Sequence, residues 1–278
     1  MRIATFNILH GQVVSGARQH SKAHLAPSIV PDSHDLLSAV DQLAPDVIAI
    51  QELDHNQPRS GNAQQAREIA DRIGAEHVAF VPTVIGTPNG RDGFRSSRPD
   101  EQDLGLALTE PTYGIALISK LEPIETSTLV FPPAPMGLPL LVQSGNRPAI
   151  IRVRDEQRGV IASVFETEFG HLTVATAHLS FVPGFNYRQL QKIGRWLQSF
   201  PRPLVLVGDF NLPTPLPHRA TKLTPVLQQP TYPSYAPRIQ FDHVLVDGFD
   251  PDTVAGIKSS AKRWTMAVSD HCAVTVDL

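Results

Sequence analysis

PLVLVGDFNLP, residues 203–213, is the stretch on which the reading of this chain turns. Leu204 to Gly208 have the aliphatic and β-branched character of a buried strand. That strand runs straight into Asp209 and Asn211, with prolines locking the loop behind them. A turn alone could explain both residues, because Asp and Asn side chains readily bond nearby backbone. In an extended chain, however, residues two apart share a side. Asp209 and Asn211 then point one way, and Phe210 turns the other way toward a core.

Working outward, the same pattern recurs. The strands IATFNIL (3–9), DVIAIQEL (46–53) and HVAFVPTVI (77–85) occupy the first third, with YGIALISK (113–120) after them. A helix is predicted over 34–43, with Leu36, Leu37, Val40 and Leu43 on one stripe, and Pro45 ends it. A second carries Ala66, Ile69, Ala70 and Ile73, with Asn62 as its expected N-cap and Gly74 as its stop. Residues 86–111 read as a long insertion, and 131–139 as a Pro-rich connector. AIIRVRD (149–155) follows, then a hairpin over 160–180 turning at Gly170. A helix is expected from Asn186 to about Ser199, and FDHVLVDG (241–248) and SDHCAVTVDL (269–278) supply two last strands. Strands joined partly by helices and partly by hairpins imply layered mixed sheets flanked by helices. With no repeat and no linker, residues 1–278 are expected to form one domain.

Composition narrows the classes. Of 278 residues, 41% are hydrophobic and 18% charged, enough for a large core. No apolar run reaches the length of a membrane span. A strand starting at the second residue leaves no room for a secretory leader, so a cytoplasmic protein is expected. Cys272, the single cysteine, excludes an internal disulfide and reads as a buried strand thiol. A net charge of −3 gives no footprint for non-specific nucleic-acid binding. No obligate protein partner is indicated.

The polar residues gather at strand ends: Asn7, Glu52, His178, Asp209, Asn211, Asp242, Asp270 and His271. Each alone fits a turn. Together, carboxylates, amides and histidines are what a hard divalent cation and a phosphate require, and Mg²⁺ is held by one or two carboxylates plus substrate oxygens. No His-x-x-x-His or Cys pair favours zinc. Neither a G-x-S-x-G elbow nor a Walker A loop is present.

The pieces TFN (5–7), QE (51–52), YG (113–114), AHL (177–179), GDFN (208–211), FDH (241–243) and SDH (269–271) resemble, in order, those of the endonuclease/exonuclease/phosphatase superfamily. The resemblance implies a four-layer α/β sandwich of the deoxyribonuclease I type. It also implies metal-assisted, in-line attack of water on a phosphoester, with Mg²⁺ as cofactor and Mn²⁺ as a substitute. By position, Glu52 would bind the metal with Asn7 beside it and Asp270 as a further or indirect ligand. Asp209 would orient or deprotonate the water, and Asn211 would help hold water and phosphate. His271, fixed by Asp242, and His178 would contact the phosphate, with Tyr113 as a hydroxyl donor. Arg147 sits where members often carry an arginine near the site. His243 reads as a strand residue.

The segment after Glu52 resembles that of a broad bacterial set of small metal-dependent phosphohydrolases. A small or lipid-derived phosphodiester or phosphomonoester is therefore the expected substrate. A nuclease of the same superfamily is the alternative, and a catalytically silent binding protein on this fold a remote one.

Overall fold

The computed structural model describes residues 1–14, 33–87, 93–144 and 147–278, and only the backbone of 138–152. The first loop beyond Val14, expected to run to about Pro31, lies outside the described residues, as do residues 88–92 of the long insertion.

One sheet is built from β1 (Arg2–Asn7), β2 (Val47–His55), β3 (His77–Gly86), β4 (Phe94–Ser96) and β5 (Thr112–Ser119). A second holds β6 (Pro123–Phe131), and β7 (Leu138–Ser144) with β8 (Arg147–Val153) makes a separate hairpin. The second sheet continues with β9 (Arg158–Thr167), β10 (Gly170–His178), β11 (Leu204–Asp209), β12 (Thr224–Pro225) and β13 (Asp242–Asp247). The chain then returns to the first sheet with β14 (Lys262–Trp264) and β15 (Ala273–Asp277). Strand orders are β14-β15-β1-β2-β5-β3-β4 and β12-β13-β11-β10-β9-β6. The helices are α1 (Ser33–Leu43), α2 (Gln65–Ile73), α3 (Pro99–Leu104), α4 (Phe185–Trp196), α5 (Leu216–Thr221) and α6 (Pro251–Ser260).

Alternation along each strand divides the apolar residues into three layers. Ile3, Val47, Ala49, Val81 and Ile115 of the first sheet meet Ile161, Val174, Val205, Val207 and Val244 of the second. Their strand neighbours Ala4, Phe6, Ile48 and Ile50 face outward, under Leu36, Val40 and Leu43 of α1 and Ile69 of α2. On the far side, Val160, Ala175, Leu204 and Leu206 pack beneath Leu190 and Ile193 of α4. Two mixed sheets pressed together with helices outside are the four-layer α/β sandwich expected from the sequence.

Each sheet contains the same trio, and the trio fixes where the polar residues go. β1 and β2 run parallel and β15 antiparallel to β1; β10 and β11 run parallel and β13 antiparallel to β11. The C-terminal ends of the parallel pairs and the beginnings of the antiparallel strands therefore fall on one edge of the sandwich. Asn7, Glu52, His178, Asp209, Asp242 and the residues before β15 all meet there.

Three local readings differ from expectation. The insertion carries structure of its own, because β4 pairs with β3 and Glu101 of α3 binds the Arg95 guanidinium. Asn62 is no N-cap: it sits in a turn at φ 61°, and α2 starts at Gln65. The Pro-rich connector is shorter, because β6 extends to Phe131 and β7 begins at Leu138.

Candidate active site

Parity places the site between the sheets. In β11, Val205 and Val207 face the inter-sheet core, so Asp209 follows them inward. The ladder registers His178 against Asp209 and Asp209 against Asp242, putting three polar side chains of one row on the same face. Gly208 permits the approach. A Cβ there would lie 2.1 Å from the Ala177 carbonyl oxygen, and its φ of 136° suits no L side chain.

Glu52 reaches this row by a different device. Ile48 and Ile50 face α1 and α2, and strict alternation would send residue 52 after them. A bulge between Gln51 and Leu53 inserts Glu52 as the extra residue, at φ 57°, and Leu53 takes the outer position. Asn211 (φ 49°) and Ser269 (φ 71°) also adopt left-handed backbone at this edge. Non-glycine residues held there are strained, and such residues cluster at functional sites.

The side chains converge on Asp209. Asn7 Nδ2 donates to Glu52 Oε1 and to Asp209 Oδ2, each at 3.0 Å. His178 Nε2 lies 3.8 Å from Glu52 Oε1 and 3.7 Å from Asp209 Oδ2. From the other side, His271 Nε2 lies 3.7 Å from Asp209 Oδ2, while its Nδ1 meets Asp242 Oδ2 at 2.9 Å. The Asn211 N–H donates to Asp209 Oδ1 at 2.9 Å, and its side-chain amide donates to the Leu179 carbonyl. Ser269 ties the edge together, its hydroxyl donating to the Asn7 carbonyl and accepting the His271 N–H. Asp209, Asp242, Asn7 and both histidines are buried, whereas the Glu52 side chain is 21% exposed and marks the way in.

Burial and charge split the titrating groups. Burial pushes the Asp209 carboxyl up to about 7, against the pull of the His271 cation and with the Asp242 carboxylate adding to the rise. Burial alone would lower His271, but the carboxylates of Asp242 and Asp209 outweigh it and hold the imidazole well above its ordinary 6.5. His178 goes the other way: burial, then the Arg158 guanidinium, then His271 keep it well below that value. The environment thus favours the charged form of His271 and the neutral form of His178.

The structure brings together Asn7, Glu52, His178, Asp209, Asn211, Asp242 and His271. Among the described residues, Glu52/His178/Asp209 and Asp209/Asp242/His271 each bring their ligand atoms within 4.8 Å of one another. Asp270 belongs to neither set; it is half-buried, and its charge adds to the rise of His271. Tyr113 is buried on β5, with the Arg59 guanidinium 5.2 Å from its ring centre and Arg59 held bidentately by Asp54. The Glu52 charge reaches the Tyr113 hydroxyl, which burial pushes well above its ordinary range. His243 lies flat on Phe210 at 5.5 Å and meets the Leu212 carbonyl, a packing position, and burial lowers it to about 4. Cys272 is a buried free thiol.

The side chain of Arg147 lies outside the described residues. An arginine that the sequence reading passed over stands at the site instead. Arg158 is 4% exposed and puts Nη1 within 3.3 Å of both ring nitrogens of His178, while Nη2 donates to Asp155. Its signal was a basic residue at the mouth of an otherwise apolar strand. Tyr232, also missed, lays its ring 4.9 Å from that of His271.

The donor set suits a hard divalent cation. Glu52 and Asp209 offer carboxylate oxygens and His178 a ring nitrogen, and no thiolate stands among these ligands. The Asn7 amide presents its Nδ2 to the two carboxylates and its Oδ1 to the Leu9 N–H, so it braces them. Among the described residues, no helix is long and apolar enough to cross a membrane.

No curated protein sequence matches the chain at a significant level. Solved structures do. A family protein from Leptotrichia buccalis is similar at a TM-score of 0.59 and 14% identity, over 100% of this chain and 99% of that one. The mannosyl-6-phosphatase Bt3783 of Bacteroides thetaiotaomicron matches at 0.55 and 12%, covering 100% and 98%. The human nocturnin catalytic domain, with a bound sulfate anion, matches at 0.55 and 15%, covering 100% and 92%. At such identities the likeness is one of fold. The family model described as Endonuclease/Exonuclease/phosphatase matches residues 4–271. With nearly its whole length matched, the chain belongs to this family of metal-dependent phosphoester hydrolases.

Proposed function

We propose that residues 1–278 form one catalytic domain that hydrolyses a small or lipid-derived phosphodiester or phosphomonoester, with Mg²⁺ as the working cation and Mn²⁺ able to replace it. One observation carries this reading: a buried Asp209 carboxylate flanked by His178 and His271 and joined to Glu52 through the Asn7 amide.

Glu52 would hold the cation, with Asn7 beside it donating to that carboxylate and Asp270 as a further or indirect ligand; the cation would stabilise charge on phosphoryl oxygens and acidify water. Asp209 orients the attacking water and takes its proton, a task suited to a carboxylate whose value lies near 7. Asn211 steadies that carboxylate through its N–H. His271 donates from Nε2 to a phosphoryl oxygen, and as a cation it offsets the charge growing there. Asp242 fixes its tautomer by accepting from Nδ1. His178 stays neutral; Arg158 is donor-only, so one ring nitrogen accepts from it and the other carries the proton toward the phosphate. Tyr113 adds a hydroxyl donor from the Glu52 side. In balance, water adds to phosphorus and gives a proton to Asp209, the bond to the leaving oxygen breaks, and that oxygen leaves as an alcohol after taking a proton from solvent.

A net charge of −3 favours a small substrate over a nucleic acid. Hydrolysis of bis(p-nitrophenyl) phosphate with Mg²⁺ is expected to fall at least about 100-fold in Glu52→Ala and in His271→Ala. Turnover unchanged in both would overturn the assignment. A parallel panel of plasmid DNA, lipid phosphodiesters and sugar phosphates separates the substrate classes. Plasmid nicking that vanishes in Asp209→Ala would establish the nuclease reading instead.

A further inference from the structure

The segment 231–239 is bolted to the turn that carries His271. Thr231 accepts the Cys272 N–H on its carbonyl at 2.8 Å, and its hydroxyl accepts the N–H groups of Phe241 and Asp242. Ser234 donates its N–H to the Asp270 carbonyl and its hydroxyl to the Ser269 carbonyl. Between these anchors Tyr232 is fixed by a two-way backbone bridge to Ile239, at 2.9 and 3.0 Å. Its ring is clamped too, 4.9 Å from His271 at 48° and 5.4 Å from Phe241 at 41°. A phenol held this firmly keeps one position.

Its hydroxyl makes no hydrogen bond to a described residue, although the ring is half-buried beside a charged imidazole. Burial pushes that hydroxyl up to about 12, and the carboxylates of Asp270, Asp209 and Glu52 add to the rise. A phenol is in any case a protonated donor at neutral pH, and this one stands beside the His271 ring. A donor fixed beside the site, with no acceptor among the described residues, is able to meet a ligand oxygen, and an anionic one most of all.

We infer that Tyr232 touches the substrate: its hydroxyl donates a hydrogen bond to a phosphoryl oxygen from the His271 side. The inference rests on the phosphoester reading of the site. Its proton stays on the phenol throughout, so the contact binds and stabilises charge without entering the proton balance. With Tyr113 on β5, two phenols from distant parts of the chain would then serve one phosphoryl group.

Tyr232→Phe keeps the ring against His271 and removes only the hydroxyl. For this variant kcat/KM on bis(p-nitrophenyl) phosphate is expected to fall about tenfold or more, the weight of one hydrogen bond to a charged group. Calorimetric affinity for inorganic phosphate should fall by a similar factor, while the pH profile stays in place. Tyr232→Leu, which also strips the ring from His271, should in addition displace that profile. Unchanged phosphate affinity and unchanged kcat/KM in Tyr232→Phe would overturn the contact. Wild-type turnover that survives Glu52→Ala would instead overturn the activity reading, and phosphate affinity would still test Tyr232 on its own.

Discussion

The charge on His271 depends chiefly on the carboxylates of Asp242 and Asp209, and of these Asp242 has no part in handling the water. Its Oδ2 accepts from Nδ1 at 2.9 Å, inside a protein environment that by itself would strip the proton. The cation's contribution to stability is full below its ordinary 6.5 and is lost as pH rises through the raised folded value. Asp242→Asn removes the largest of the raising influences, so the histidine should lose its proton at lower pH. The alkaline limb of the kcat profile should then move to lower pH, with kcat at neutral pH reduced about 10- to 100-fold. An alkaline limb that stays put would show that His271 does not set it. Single residues were legible in the sequence where they sat in short motifs at strand ends. Glu52, Asp209, Asp242 and His271 are of this kind. Arg158 and Tyr232 were not, because their meaning comes from packing. Arg158 lies 20 positions from His178 in the chain and Tyr232 lies 39 from His271, so no local pattern joins either pair.

Strand ends and the turns beside them deliver the functional groups, and for Glu52 and Asp209 the delivery depends on a backbone irregularity. In β11 this is Gly208. Gly208→Ala would press a Cβ to 2.1 Å from the Ala177 carbonyl oxygen and prise β11 from β10. The expected loss is about 3 kcal/mol or more of unfolding free energy, read from urea denaturation. A midpoint equal to wild type would show that the two strands can part without cost. Elements with a clear apolar rhythm were readable: α4 spans Phe185–Trp196 with a further turn to Ser199, against an expected 186–199. β6 was not, because as an edge strand it leaves Glu125 and Thr126 exposed and shows no alternation. α6 escaped for a similar reason, with Ile257 its one buried residue. The bulge at Glu52 was hidden too, since VIAIQEL reads as an uninterrupted strand.

At the scale of the molecule, the two sheets are joined beneath the site by a polar bridge inside the apolar layer. Gln51 Nε2 donates to Thr176 Oγ1 across the sheets at 3.0 Å and pairs with the Thr5 hydroxyl within its own, all three residues buried. Gln51→Leu would strand both hydroxyls, and about 1–3 kcal/mol of stability should go with them. Adding Thr5→Val and Thr176→Val should return most of it, since no polar group is then left unpaired. A triple variant weaker than the single one would argue against this account. The QE motif thus has a division of labour that its two letters conceal, with Gln51 fastening the sheets and Glu52 serving the site. Glu52 and Asp209 come from opposite sheets, so their separation follows from the thickness of the side-chain layer beneath them. Ile3, Val47, Val205 and Val207 act as a spacer, and a close-packed layer transmits added volume instead of absorbing it. A methylene inserted there widens the gap at the rim. Mg²⁺ takes oxygens at about 2.0–2.1 Å and Ca²⁺ at about 2.3–2.6 Å. With the proposed cation at Glu52, aliphatic residues that never meet it would then help to set the choice between small and large ions.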